Sequence, residues 1–170
     1  WGNPQNYGRG NNADKILNGQ HSVNWIANGY PGAGHLILYN NHHNPGESAV
    51  LEFSPTLNTD NLYDISDDSA FGPESWEWIH IGGFHSSMQG GSFRQPNGNT
   101  LVSVAEFAFL FEVDPEGNTV WEYTYPGNNV RIARAQKYSI DYLDAGISGD
   151  INDDGLVNVV DVVLMVNIIL

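Results

Sequence analysis

An internal repeat constrains the fold of this chain most strongly. Two segments share one order of motifs, which is an Asn-Gly pair, a strand-like run, a second run ending in Pro, and a Trp-Glu-aromatic triplet. The motifs lie at residues 28–29, 35–39, 50–55 and 76–79 in the first segment, and at 97–98, 100–104, 110–115 and 121–124 in the second. Self-similarity at a period of roughly 40 to 50 residues is typical of propellers and solenoids. With a strand before each Asn-Gly pair, each segment predicts four short strands, which is the content of one propeller blade.

The composition favours the same all-β interpretation. Aromatic residues make up 12% of the chain, and 19 Gly and eight Pro supply turns. Closed propellers need roughly four to eight blades, so about two four-stranded blades predict a partial β-propeller, and we expect the chain to be a fragment of something longer. We assign residues 1–145 to this propeller fragment and 146–170 to a separate tail, with Gly146, Ser148 and Gly149 near the link. The Asp- and Asn-rich residues 58–73 predict a surface loop.

The charge balance excludes some partners. Twenty acidic against six basic residues give a net charge of -14, which repels nucleic acid. The most apolar stretch, residues 156–170, is interrupted by Asn158, Asp161 and Asn167, so no membrane span is predicted. The chain has no cysteine, which excludes disulfides and thiolate chemistry.

The tail carries a regular spacing of oxygen-bearing side chains. With Asp150 as position 1 of a twelve-residue loop, positions 3, 5, 9 and 12 are Asn152, Asp154, Asn158 and Asp161, position 6 is Gly155, and position 7 is Leu156, which would offer its carbonyl. Calcium takes six to eight oxygen ligands, and a tight turn at glycine brings alternate side chains to one centre. The pattern predicts a structural calcium site, and an Asx-rich turn without metal is the alternative.

The loop ends in Asp161 rather than the Glu of an EF-hand. With a helix predicted over residues 159–170, it resembles one calcium-binding repeat of a type I dockerin. The resemblance implies a second repeat packed on the helix and a protein partner for the tail. Dockerins that bind cohesins usually carry small hydroxyl residues at loop positions 10 and 11, where this chain has Val159 and Val160.

The first 126 residues carry motifs of another family. The runs are WGNPQNYGR at 1–9, QH at 20–21, WI at 25–26, LYNN at 38–41, FRQPNGNTL at 93–101 and FEVDPEGN at 111–118. They resemble successive motifs of the bacterial arylsulfotransferase family. The resemblance implies a six-bladed propeller that moves a sulfuryl group from an aryl sulfate donor to a phenolic acceptor through a transiently sulfated histidine.

Three residues in these motifs are candidate catalytic residues. His21 lies at the position that resembles a channel histidine of the family, and Arg94 and Arg9 are candidate ligands for the sulfuryl oxygens. A hydrogen-bonded structural histidine and two surface cations are the alternatives. His42 and His43 are adjacent, and on a strand they would face opposite sides rather than share a metal. His80 and His85 flank Gly82-Gly83 and are weaker candidates for the channel.

Two other functions remain open. The blades could form a non-catalytic binding scaffold, attached or secreted through the tail, or a carbohydrate-active protein that stacks sugars on its five Trp. Trp76 and Trp121 recur at equivalent positions, as core residues would, which weakens the second alternative. In every case we expect an extracellular or periplasmic protein.

Overall fold

The computed structural model describes residues 1–63, 68–140, 142, 149–152 and 154–169. The chain divides into two compact units, Trp1–Gln136 and Lys137–Leu170. The first unit contains two four-stranded antiparallel sheets, each with its strands in sequential order. The strands of the first sheet are β1 (Gln20–Trp25), β2 (Leu36–Asn44), β3 (Glu47–Phe53) and β4 (Trp78–His80). The strands of the second sheet are β5 (Gly91–Arg94), β6 (Thr100–Val104), β7 (Phe109–Val113) and β8 (Thr119–Thr124).

Tight turns join the strands of the second sheet where the sequence places glycine. Gly98, with φ of +91°, donates its backbone N–H to the carbonyl of Gln95 between β5 and β6. Gly117, with φ of +90°, does the same to Asp114 between β7 and β8. Because both glycines adopt the left-handed region, which costs other residues energy, the Asn-Gly and Glu-Gly pairs set the ends of these strands.

The two sheets pack face to face around one hydrophobic core. Its buried members come from both sheets and from the connections between strands: Ile26, Ile37, Tyr39, Val50, Phe84, Val102, Val104, Phe111 and Val113. The opposite face of the first sheet buries Leu38, Leu51 and Phe53 beneath Trp1 and Trp76. Alternate residues of a strand therefore fill two different layers, as the two-residue period of a strand requires.

The all-β prediction for the first unit is confirmed, with four strands in each repeat. Neither sheet closes into a ring within the described residues, so the propeller remains a prediction. Residues 58–63 and 68–73 contain no strand or helix apart from an isolated bridge between Leu57 and Tyr63. Residues 64–67 of that loop and the expected domain boundary at 145/146, with Gly146 and Ser148, lie outside the described residues.

The described residues of the second unit include one helix, α1 (Val159–Ile169), in agreement with the helix expected from residue 159 onward. Asn158 precedes it, and its side-chain oxygen accepts a hydrogen bond from the backbone N–H of Val160 at 2.8 Å. An Asn in this place satisfies one of the N–H groups that a helix start leaves free. Among the described residues, no helix combines the length and hydropathy needed to cross a membrane.

Candidate functional site

The loop before α1 is closed by carboxylates that accept hydrogen bonds from its own backbone. Asp150 accepts the N–H of Asp154 at 3.1 Å with Oδ1 and the N–H of Gly155 at 2.7 Å with Oδ2. Asp154 accepts the N–H of Leu156 at 2.9 Å and the side-chain amide of Asn152 at 2.8 Å. Gly155 has φ of +83°, which reverses the chain at the sixth position of the loop. The first, third and fifth side chains are therefore linked around one turn.

Asp161 ties the end of this loop to its beginning. It is 1% exposed, and its carboxylate accepts the N–H groups of Ile151 and Asn158, each at 2.8 Å, and of Asn152 at 3.4 Å. Asp161 thus accepts from the backbone of Asn158, the residue whose own side chain caps the N–H of Val160. These backbone hydrogen bonds hold the pKa of Asp161 below its usual value, and the bond from Asn158 has the largest effect. The side chain is therefore an anion at neutral pH.

The donor set fits a hard cation. An ionised carboxylate has about four lone-pair sites. Among the described residues of the loop, two donors contact the carboxylate of Asp150, two contact that of Asp154 and three contact that of Asp161. Each carboxylate thus keeps acceptor capacity for an ion. Among the described residues, which omit Asp153, no group of three or more His, Asp or Glu side chains is arranged to hold a metal, so the calcium site, with Leu156 and Asn158 as further ligands, stays a prediction.

His21, the candidate nucleophile, lies near the start of β1 opposite Tyr39 of β2. Its ring is exposed, and Nδ1 is 2.8 Å from Oδ1 of Asn41 and 3.0 Å from the carbonyl oxygen of Gly19. Asn41 is completely buried, and its amide nitrogen donates to the carbonyls of Ser86 and Gln89. A buried asparagine thus holds one nitrogen of an otherwise exposed imidazole.

Arg94 lies between the two sheets. It is 8% exposed, donates one hydrogen bond to the carboxylate of Glu52 and another to the carbonyl of Gly98 at 2.8 Å, and lies over the ring of Trp78. Glu52 also accepts from Nδ1 of His35 at 2.7 Å. The observed contacts of Arg94 therefore join β5 to β3, and its role as a sulfuryl ligand stays a prediction.

Arg9, the second cationic candidate, belongs to the N-terminal segment. Its guanidinium lies 5.8 Å from the ring centroid of Phe71, which stacks on Tyr7. Its role as a sulfuryl ligand also stays a prediction.

His42 and His43 lie on the first sheet, and His80 lies beside a cavity. His42 and His43 lie in β2, where His42 faces His85, with ring centroids 5.8 Å apart, and His43 meets the edge of Trp76 at 6.0 Å. The adjacent pair thus has separate surroundings, as expected for neighbours on a strand. His80 borders a cavity of about 560 Å³ with Phe84, Phe111 and other residues, and burial lowers its pKa. Whether His80 and His85 line a channel stays a prediction.

Asn41 and Glu52 shape the settings of His21 and Arg94, but the sequence patterns did not identify either one as a candidate site residue. Asn41 is part of the Asn40-Asn41 motif, yet alternation along β2 alone does not reveal that Asn41 reaches His21. Glu52 is part of the repeat, and Glu112 is its counterpart in the second segment. A glutamate that recurs inside a strand was a signal that both side chains would be buried. Each is 6% exposed. A carboxylate at a core position requires a partner, which Arg94 supplies here.

Comparison with protein-family models, with curated proteins and with solved structures found no match to this chain. Function is therefore inferred from the two sites described above, one in each unit.

Proposed function

We propose that residues 150–161 form a calcium-binding loop of the dockerin type. The observation that carries the proposal is the convergence of Asp150, Asp154 and Asp161 on the backbone amides of one loop that turns at Gly155. A divalent cation would bind oxygen lone pairs that these hydrogen bonds leave free. Binding is expected to stabilise the second unit, because the unfolded loop offers no preformed site.

This loop suits an extracellular or periplasmic protein. Extracellular calcium modules bind the ion with dissociation constants of about 0.1 to 1 mM. These values suit the calcium concentrations to which secreted proteins are exposed. The tail would then serve as an attachment module for a protein partner. Val159 and Val160 are 72% and 48% exposed at the start of α1, and an apolar partner surface is expected to contact them.

Calcium-dependent stabilisation tests the loop. Urea unfolding of the second unit, followed by the far-ultraviolet circular dichroism of α1, is expected to shift to higher urea with calcium and not with the same concentration of magnesium. Magnesium demands a rigid octahedron and keeps its waters, so it is the matched control ion. Equal midpoints with and without calcium would contradict the proposal.

A second function, sulfuryl transfer by the first unit, is favoured by the setting of His21. His21 is exposed and is held at Nδ1 by Asn41, and no hydrogen bond from the described residues is made to Nε2. An imidazole nitrogen is a competent nucleophile at neutral pH. The donor would be an aryl sulfate and the acceptor a phenol, as the arylsulfotransferase resemblance implies. Two sequential sheets that pack face to face support the propeller that this function requires.

The test is transfer of the sulfuryl group from a chromogenic aryl sulfate to a phenol, measured on the native polypeptide. His21→Gln is expected to abolish turnover, whereas His35→Gln, which alters the bond to Glu52, is the matched histidine control and is expected to retain it. Unchanged turnover in His21→Gln would exclude His21 as nucleophile. Absence of turnover in the wild type would instead favour a non-catalytic scaffold.

A further inference from the structure

Asn41 is fixed in a single amide orientation. It is 0% exposed, and its Nδ2 lies 2.8 Å from the carbonyl oxygen of Ser86 and 2.6 Å from that of Gln89. Both oxygens are acceptors, so the group that faces them must be the NH₂ group with its two donors. The reverse orientation would place Oδ1 of the fully buried Asn41 against two carbonyl oxygens, and burial makes that repulsion costly. Oδ1 of Asn41 must therefore face His21.

The orientation of Asn41 determines where His21 carries its proton. Nδ1 of His21 is 2.8 Å from Oδ1 of Asn41 and 3.0 Å from the carbonyl oxygen of Gly19. Both are acceptors, so Nδ1 must be the protonated nitrogen, with its hydrogen shared between them. In the neutral ring Nε2 then has a free lone pair. Within the described part of the chain, no hydrogen bond is made to Nε2.

We propose that Asn41 is a positioning residue that holds His21 in the Nδ1–H tautomer, so that Nε2 presents its lone pair to an aryl sulfate. This inference rests on the proposed sulfuryl transfer. The Nε2 lone pair attacks sulfur, the S–Nε2 bond forms, and the bond between sulfur and the aryl oxygen breaks with its electron pair leaving as phenolate. The oxygen of the phenolic acceptor then attacks sulfur and loses its proton, the S–Nε2 bond breaks, and the lone pair returns to Nε2.

The same contacts act on the charged intermediate. While the sulfuryl group is on Nε2, the ring keeps its hydrogen on Nδ1 and carries positive charge. Oδ1 of Asn41 and the carbonyl oxygen of Gly19 direct their partial negative charge at that hydrogen and stabilise it. The proton lost by the acceptor phenol balances the one taken up by the departing phenolate, so the cycle needs no other reactant.

Nitrogen-15 NMR of the histidine side chains tests the tautomer without any assay of activity. At a pH where the ring is neutral, wild-type His21 is expected to show a protonated Nδ1 and an unprotonated Nε2, with the His21→Gln spectrum providing the assignment. A wild-type His21 protonated at Nε2 would overturn the proposal with no variant needed.

Two variants distinguish control of the His21 tautomer by Asn41 from a general loosening of the connection between β4 and β5. In Asn41→Ser, the Nε2–H form of His21 is expected to rise to a major population, and turnover is expected to fall about 10- to 100-fold. Ser48→Ala removes a hydroxyl that accepts the N–H of Ser86 at 3.1 Å and donates to the backbone carbonyl of Asn41 at 2.8 Å, and so loosens the surroundings of Asn41 without changing its side chain. It leaves both acceptors of Nδ1 in place, and its His21 tautomer is expected to match the wild type.

The outcomes distinguish this inference from the proposed function. A wild-type tautomer retained in Asn41→Ser would overturn the role of Asn41 and assign it to Gly19. If Asn41→Ser shows the expected tautomer shift but the wild-type polypeptide transfers no sulfuryl group, the positioning by Asn41 would be supported and the sulfotransferase function would be rejected.

Discussion

Arg94 of β5 donates a hydrogen bond to Glu52 of β3, and each side chain is at least nine-tenths buried between the two sheets. The residues lie in different repeats, so this pair joins one sheet to the other at the core that both build. Asn24 adds a second link, since its side-chain amide donates to the carbonyl of Ser92 at 3.0 Å. Polar contacts thus fix how the two sheets meet, while the apolar core supplies most of the stabilisation.

Loss of one partner of the pair is expected to destabilise the first unit strongly. Arg94→Ala leaves the Glu52 carboxylate buried without its arginine, although it keeps the contact with His35. Removing one partner of a buried pair costs about 3 to 5 kcal/mol of the free energy of unfolding. Urea unfolding followed by tryptophan fluorescence measures this loss. Arg134→Ala is the matched control, because Arg134 is exposed and lies over Phe93 at 5.6 Å, and it is expected to cost about 1 kcal/mol or less.

The double variant Arg94→Met, Glu52→Gln removes both charges, and it is expected to be more stable than Arg94→Ala. Replacing both members of a buried pair leaves no uncompensated charge, whereas removing one member does. A loss of less than 1 kcal/mol in Arg94→Ala would contradict the structural role of the pair.

The strands were predictable from sequence because each depends on local pattern. The runs at 100–104 and 121–124 lie in β6 and β8, where apolar, aromatic and β-branched residues follow the turns at Gly98 and Gly117. The pairing of Arg94 with Glu52 was not predictable, since the contact joins residues 42 positions apart and depends on how the two sheets meet. A cation inside a recognised motif indicated a sulfuryl ligand, which stays a prediction. The carboxylate that Arg94 contacts lies on a strand of the other sheet.

The two candidate sites also differ in how far they could be predicted from the sequence. Loop 150–161 is local, so spacing alone placed its side chains around Gly155, and the observed hydrogen bonds follow that order. The setting of His21 is long-range, because Asn41 reaches it from β2 and is itself held by the connection between β4 and β5. Sequence pattern identified the histidine, but the tautomer could only be inferred from its neighbours.

The buried imidazole of His80 predicts a pH dependence of stability. Its ring stacks on Phe84 at 5.8 Å, and burial lowers its pKa. Because the unfolded chain has the usual pKa of about 6.5, protonation favours the unfolded state. The stabilisation is complete above about pH 6.5, and it is lost as the pH falls through that value toward the lowered pKa of the folded protein.

Urea midpoints across this pH range measure the effect. His80→Phe keeps the aromatic packing and is expected to flatten the decline, while His42→Phe, at an exposed position, is expected to keep it. Parallel pH profiles for wild type and His80→Phe would show that other groups cause the decline. Glu116 and Glu122, which line the same cavity, would be the next groups to replace.

Gly155 is expected to be essential to the shape of the calcium loop. A Cβ at this position would meet no atom within 4 Å, yet φ is +83°, so Gly155→Ala incurs backbone strain alone. That strain is about 1 to 2 kcal/mol, and a cost of 1.4 kcal/mol corresponds to a factor of about ten in calcium affinity.

Gly46→Ala is the matched control for this substitution. Gly46 has φ of +74° in the turn between β2 and β3, and a Cβ there would likewise meet no atom within 4 Å. It is expected to strain the first unit and leave calcium affinity unchanged. An equal affinity in the wild type and Gly155→Ala would mean that the cation does not depend on this turn.

Calcium binding by residues 150–161 is tested most directly by isothermal titration calorimetry of this chain. The wild type and a control with exposed Asp60 replaced by alanine are expected to give a calcium-dependent heat, and Asp150→Ala is expected to lose it. A wild type that shows no binding at millimolar calcium, the weak end for extracellular modules, would contradict the assignment, as would an Asp150→Ala variant that binds like the wild type.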